Sequence, residues 1–253
     1  MILVTYALVA QLDRVPGYEP GGQRFESSPV QLVKQLYIMP TYSKNSFDIV
    51  CFPSGSLGTN AYLIVCKKTN KAALIDAPKD SFLKITRECE KRSCQLEKLI
   101  LTHSHWDHIA EASLFKLKSY IHPEDAYNLK SPGADKLRSW IAIEPVEPSG
   151  LLKEGDVFFI GESCWRVIHT PGHSPGGICL YCEQEGTLIS GDTLFKGSLG
   201  RIDLPTSEPD RMWPSLKKLS VLPKETHVFP GHGAPTSIGD ETWMAHAEQM
   251  FGH

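Results

Sequence analysis

The sequence lacks any apolar run of about 18 residues, the length a membrane-spanning helix needs, so no membrane role is expected. It lacks an excess of basic residues: 26 Lys and Arg stand against 29 Asp and Glu in 253 residues. Nucleic-acid-binding domains carry a basic patch or stripe, so no such partner is expected either. Cysteines are few and odd in number, at positions 51, 66, 89, 94, 164, 179 and 182. A chain of this size does not need disulfides, which places it in a reducing cytoplasm. Cys179 and Cys182 spell CxxC, but there is no second pair and no helix start follows. In a strand, residues three apart point to opposite faces, so both read as core thiols. No fixed-period repeat occurs, no Ser–His or Cys–His nucleophile pattern stands out, and nothing signals an oligomeric state. What is present is ordinary globular composition, 41% hydrophobic and 22% charged, which excludes wholesale disorder.

The first 38 residues differ from the rest. Met1 to Ala10 is apolar, but no Lys or Arg precedes it and no cleavage site follows, which argues against a secretory signal. Residues 7–30 are rich in Pro, Gly and Ser and show no period of 2 or 3.6. Arg24-Phe25-Glu26-Ser27 can be encoded by CGG TTC GAA TCC, which contains a transfer-RNA T-arm sequence. The stretch resembles a translated transfer-RNA gene, as produced by a mis-called start. Residues 1–38 are therefore expected to be a non-functional leader. The catalytic domain is expected over 39–253, which is 253 − 38 = 215 residues.

Beyond Met39 the patterning becomes regular. Strands are expected at 47–52, 60–66, 71–76, 97–102 and 119–122, and helices at 80–92, 107–118 and 123–130. Asp80 reads as the cap of the first helix. Residues 131–156 form the longest loop region and a candidate border of an active site. Strands return at 157–160, 164–169, 177–182, 186–190 and 226–229, with helices at 209–222 and 240–251. Two β-rich halves with interspersed helices imply two packed sheets with helices outside.

The chemistry concentrates in Thr102-His103-Ser104-His105-Trp106-Asp107-His108. His103 and His105 point the same way in extended chain. Asp107 and His108 fall on the first turn of the following helix and can face a second point. Three imidazoles and a carboxylate suit borderline divalent cations, which take N and O ligands at about 2.0–2.2 Å. Three later segments each place one ligand-type residue beside Gly or Pro: His173 in TPGHSPG, Asp192 in SGDTLF and His232 in FPGHG. His169 is read as structural. His122, His227, His246 and His253 are read as surface or packing residues.

Together these four motifs resemble the metallo-β-lactamase superfamily over about residues 47–251. The resemblance implies an α+β fold, a four-layer αββα sandwich with its site at one edge of the sheets. It implies that His103, His105 and His173 hold one metal ion. Asp107, His108 and His232 hold a second, and Asp192 bridges the two. Asp76, in ALIDAP, supports the ligands from behind. The cofactor is expected to be two divalent cations, Zn2+ foremost, with Fe and Mn suited to the same donors.

Within the superfamily, SGDTLFKGSLGRIDLP resembles glyoxalase II, and its GRIDLP form the short, single-domain glyoxalase II-like proteins. The implied reaction is hydrolysis of a small-molecule thioester such as a hydroxyacylglutathione, by attack of a metal-bridging hydroxide. Asp107 and Asp192 are the expected catalytic carboxylates. Arg201 and Lys196 are candidate substrate contacts. Arg201 stands near where long glyoxalase II enzymes carry a Lys, but Asp203 falls where they carry a Tyr. An ion pair between Arg201 and Asp203 is the competing role for that arginine. Only 21 residues follow His232, too few for the helical glutathione-binding domain of the long enzymes. No Cys occupies any ligand position, unlike metallo-β-lactamases that use one at the second metal. A persulfide dioxygenase with one iron is the alternative on the same scaffold, since all seven residues can be present there too.

Overall fold

The computed structural model describes residues 40–252 except residue 138. The expected leader and the start at Met39 lie outside the described residues. Seven strands build the first sheet in chain order: β1 (Thr41–Ser43), β2 (Phe47–Ser54), β3 (Thr59–Cys66), β4 (Lys71–Ile75), β5 (Gln95–Ile100), β6 (Lys118–Ile121) and β7 (Gly150–Leu151). β1 to β4 pair antiparallel, and β4 to β7 run parallel. Helices make the parallel crossovers: α1 (Phe82–Arg92), α2 (Trp106–Ile109), α3 (Ala112–Phe115) and α4 (Ala126–Lys130).

The second sheet begins with β8 (Val157–Ile160), β9 (Ser163–His169), β10 (Ile178–Cys182) and β11 (Thr187–Gly191). A small hairpin, β12 (Leu194–Phe195) with β13 (Ser198–Leu199), precedes α5 (Pro209–Ser220). β14 (His227–Pro230) then pairs parallel with β11, β15 (Thr236–Ser237) closes that edge, and α6 (Ala247–Phe251) follows. The order across this sheet is β15-β14-β11-β10-β9-β8.

Three apolar layers follow from strand alternation. Phe47, Ile49, Tyr62, Ile64, Trp165, Val167, Leu180 and Phe229 fill the space between the sheets. Their odd-even partners, including Val50, Phe52, Leu63 and Val65, turn outward onto α1 to α4. Ile168, Cys179, Tyr181 and Leu188 turn outward onto α5 and α6. With both faces covered, β3 is buried at all eight positions. The architecture is the expected αββα sandwich. Cys182 faces the central layer and Cys179 the outer one, as a spacing of three in a strand requires. All seven cysteines are free.

Four local readings differ. The helix expected over 107–118 breaks into α2 and α3, because the chain turns between them and Glu111 is drawn elsewhere. Its carboxylate accepts the amides of Asp80 (2.9 Å), Ser81 (3.0 Å) and Phe82 (2.8 Å). Glu111, not Asp80, therefore satisfies the orphan donors at the start of α1. The last helix is a 3-10 turn over Thr242–His246 before α6. The short strands β1, β12, β13 and β15 lack a legible period at two or three residues.

These amides and Lys79 hold the Glu111 carboxyl below its ordinary 4.5 against the opposing effect of burial. A lowered folded pKa means stability that is present above about pH 4.5 and lost as pH falls through the folded value. Glu111→Ala should reduce unfolding free energy by about 1–3 kcal/mol at pH 7. In urea titrations the deficit should shrink steadily below pH 4.5; a pH-independent deficit would contradict the capping role.

Candidate metal centre

The ligand-type residues sit where strands end. Asp76 follows β4, residues 102–108 follow β5, His173 follows β9, Asp192 follows β11 and His232 follows β14. All five strand ends reach one edge of the sandwich, where the two sheets are stitched together. The Asn60 amide donates to the Gly231 carbonyl at 2.7 Å and the Tyr62 hydroxyl to the Pro230 carbonyl at 2.6 Å. The Ile178 amide donates to the Thr102 carbonyl at 2.9 Å.

All seven expected residues converge there. One nitrogen or oxygen from each of His103, His105 and His173 lies within 4.8 Å of the others, and so do those of Asp107, His108 and His232. Between the two groups lies Asp192. Its Oδ1 is 3.4 Å from His108 Nε2, and its Oδ2 is 3.4 Å from both His173 Nε2 and His232 Nε2. Glycine makes this approach possible. A Cβ at Gly231 would collide with Asp192 Oδ1, and one at Gly200 with the Asp192 carbonyl.

Four imidazoles have their outer nitrogen engaged, which fixes their tautomers. His108 Nδ1 donates to Asp76 Oδ2 at 2.8 Å. Thr102 Oγ1 donates to the same oxygen at 2.8 Å, so it accepts from His103 Nδ1 at 3.1 Å. His173 Nδ1 donates to the Arg201 carbonyl at 2.8 Å and His232 Nδ1 to the Leu57 carbonyl at 3.3 Å. Each leaves Nε2 pointing inward, the arrangement that metal-binding histidines use. Asp76 supplies this support from a left-handed backbone (φ 59°), a conformation few non-glycine residues hold without compensation.

The interior of the cluster is short of partners. The Nε2 atoms of His103, His105 and His108 and Oδ1 of Asp192 are buried without a hydrogen bond. His105 Nδ1 meets His173 Nε2 at 2.8 Å. Burial and then the neighbouring His173 push His105 down to about 3, which keeps it neutral. Burial opposes charge on His232 as well, but Asp107 and Asp192 raise it to about 9. Asp107 is held at about 2, burial being outweighed by His108 and the hydrogen bond with His232. Neutral lone pairs beside two carboxylates fit a divalent cation: the same field that draws protons to His232 draws metal.

Two supporting residues carry no sequence signal. Thr59 Oγ1 donates to Asp107 Oδ2 at 2.6 Å. Asp125 joins the two histidine loops by accepting the Ser104 amide (2.8 Å) on one oxygen and the Gly176 amide (2.6 Å) on the other. Asp125 lies in an unremarkable HPEDA stretch, and only the tertiary structure brings it to the site.

The candidate substrate contacts divide. Arg201 lines an open cavity of about 400 Å3 above the cluster, together with Leu57, Trp106, Trp140, Phe195 and Leu204. It also makes the competing ion pair, with Nε and NH2 of its guanidinium 2.8 and 2.9 Å from the two Asp203 oxygens. Lys196, on the turn between β12 and β13, is not among the residues lining that cavity. The loop after α4 contributes Leu137 and Trp140 to it.

Two of the remaining histidines form a packing pair. His122 is buried and stacks on His169, with ring centroids 3.9 Å apart and 18° between planes, beside Glu124. Near-parallel rings cannot both aim an in-plane lone pair at one point, so the pair packs rather than chelates. Burial, then His169, lowers His122 to about 4.

With this geometry in hand, comparison with known proteins identifies the class. Residues 55–232 match the metallo-beta-lactamase superfamily. The chain belongs to that superfamily, whose members are metal-dependent hydrolases. It is 32% identical over 166 residues to a hydroxyacylglutathione hydrolase of Rhizobium etli, covering 65% of this chain and 58% of that protein. Among solved structures it is similar to the BLEG-1 B3 metallo-beta-lactamase (33% identity, TM-score 0.69, 76% of this chain and 95% of that one). It is also similar to TTHA1623 in a di-iron-bound form (36% identity, TM-score 0.66, 76% and 96%). No helix among the described residues is long and apolar enough to cross a membrane.

Because Asp125 satisfies two buried amides, Asp125→Ala should lower unfolding free energy by about 2–4 kcal/mol. A loss under about 0.5 kcal/mol in urea denaturation would show that the two loops hold without it.

Proposed function

We propose that this protein is a dinuclear metal-dependent hydrolase of small-molecule thioesters of the hydroxyacylglutathione type. His103, His105 and His173 would hold one cation and Asp107, His108 and His232 the other, with Asp192 within reach of both. The observation that carries this reading is Asp192 itself, 3.4 Å from imidazoles of both groups. Similarity to a hydroxyacylglutathione hydrolase supports the substrate class. Zn2+ is the proposed ion; similarity to a di-iron protein keeps Fe within reach of the same donors.

Two divalent cations bound there would supply a water-derived nucleophile at neutral pH and a charge that stabilises the developing oxyanion. The chain's own part is orientation. Asp107, kept ionised and tied to Thr59, can accept a hydrogen bond from the attacking water and aim it at the thioester carbonyl. Asp76, through His108 and Thr102, prevents the imidazoles from turning away. Arg201 lines the cavity above the cluster, where its guanidinium can meet substrate.

The test is hydrolysis of S-lactoylglutathione by metal-replete protein, with metal content measured alongside. Asp192→Ala and His105→Ala should each lower kcat/KM more than a hundredfold while far-UV circular dichroism stays unchanged; loss of a ligand costs at least the ~10–100-fold seen for its supporting contacts. Wild-type rates in either variant would contradict the assignment. About one iron per chain, with oxygen uptake on glutathione persulfide and no thioesterase activity, would move the protein to the dioxygenase alternative.

A further inference from the structure

The cavity above the His/Asp cluster is bounded on one side by Trp106 and Trp140. A second cavity of about 690 Å3 lies beyond them, and the two share Trp106, Leu137 and Trp140 as a common wall. The second cavity is walled further by Ile109, Ile141 and Ile143, and no described residue lining it is charged. Trp140 is 76% exposed and touches Trp106 only edge-on, with centroids 6.2 Å apart. A bulky apolar side chain left in water beside a reacting centre is unusual, and apolar clefts with few polar groups are where apolar ligands bind.

The charge pattern points the same way. Glutathione carries two carboxylates and an ammonium group. Besides histidine, Arg201 is the single cationic side chain among the described residues lining the first cavity, and it is already engaged by Asp203 on two nitrogens. The apolar side chains around that cavity, Leu57, Trp106, Trp140, Phe195 and Leu204, suit an alkyl chain beside the thiol carrier.

We propose that the preferred substrate is a thioester with a medium-length alkyl acyl chain, which lies across Trp106 and Trp140 into the second cavity. Trp140 is then a specificity-determining residue. The inference rests on the thioesterase reading for the reacting group, while the chamber stands on its own lining. Extending the chain buries methylenes against Trp140 and Ile141, at about fourfold in binding for each one covered.

Two measurements separate the chamber from the reaction. The first is kcat/KM of metal-replete enzyme for acetyl, butyryl, hexanoyl and octanoyl thioesters of N-acetylcysteamine. The second is tryptophan fluorescence on titration with non-hydrolysable S-ethyl and S-octyl N-acetylcysteamine. The expected result is kcat/KM rising at least thirtyfold from acetyl to octanoyl, with S-octyl binding at least tenfold tighter than S-ethyl. Trp140→Ala should flatten both trends and Trp140→Phe should restore most of each. If no thioester is hydrolysed but the thioether preference and its dependence on Trp140 persist, the chamber stands and the reaction assigned above falls. If thioesters are hydrolysed without dependence on chain length, or the octyl and ethyl thioethers bind equally, the chamber proposal is overturned.

Discussion

Asp192 sets the terms for the rest of the molecule. Its carboxylate is buried, and three imidazoles approach it at 3.4 Å from different elements. A buried charge of this kind is costly unless surrounded by compensating groups. The surrounding geometry is organised to keep those groups in place. Gly200 and Gly231 leave room for the approach. Asp76 and the carbonyls of Arg201 and Leu57 turn the imidazoles so that Nε2 faces inward. Asp125 fixes the loops that deliver His103, His105 and His173.

The sandwich explains how so polar a cluster can be built at the rim of an apolar structure. Parallel pairs β4–β5 and β11–β14 end at the same edge. Side chains just past these ends leave the apolar layers and meet one another. The backbone bonds that Asn60 and Ile178 make there join one sheet to the other. Holding the strand ends in this way keeps like-charged and lone-pair-bearing groups at short range, which an isolated loop could not do. The same rim carries the apolar surface of Trp106, Trp140, Phe195 and Leu204, so the polar cluster and the cavity walls share one support.

Much of this was legible before any coordinates. The layers follow from alternation in strands such as Asn60–Cys66, where both faces are apolar because both are covered. The clustering of these residues was legible because His, Asp and Gly at strand ends form short, dense motifs. The supporting residues were not. Asp125 and Thr59 act through tertiary contacts that no local pattern encodes, and Glu111 caps a helix about thirty positions earlier in the chain. The helix at 107–118 was overextended because its apolar period continues through a turn that Glu111's long-range bonds impose. The His122–His169 stack was invisible for the same reason: it joins the end of β6 to the end of β9.

The central claim is that these seven side chains form one centre for two cations. Anomalous diffraction from crystals of the metal-loaded protein tests it most directly. The account predicts two peaks about 3.5–4 Å apart, one among His103, His105 and His173, the other among Asp107, His108 and His232, with Asp192 touching both. A single peak, or peaks away from Asp192, would contradict it.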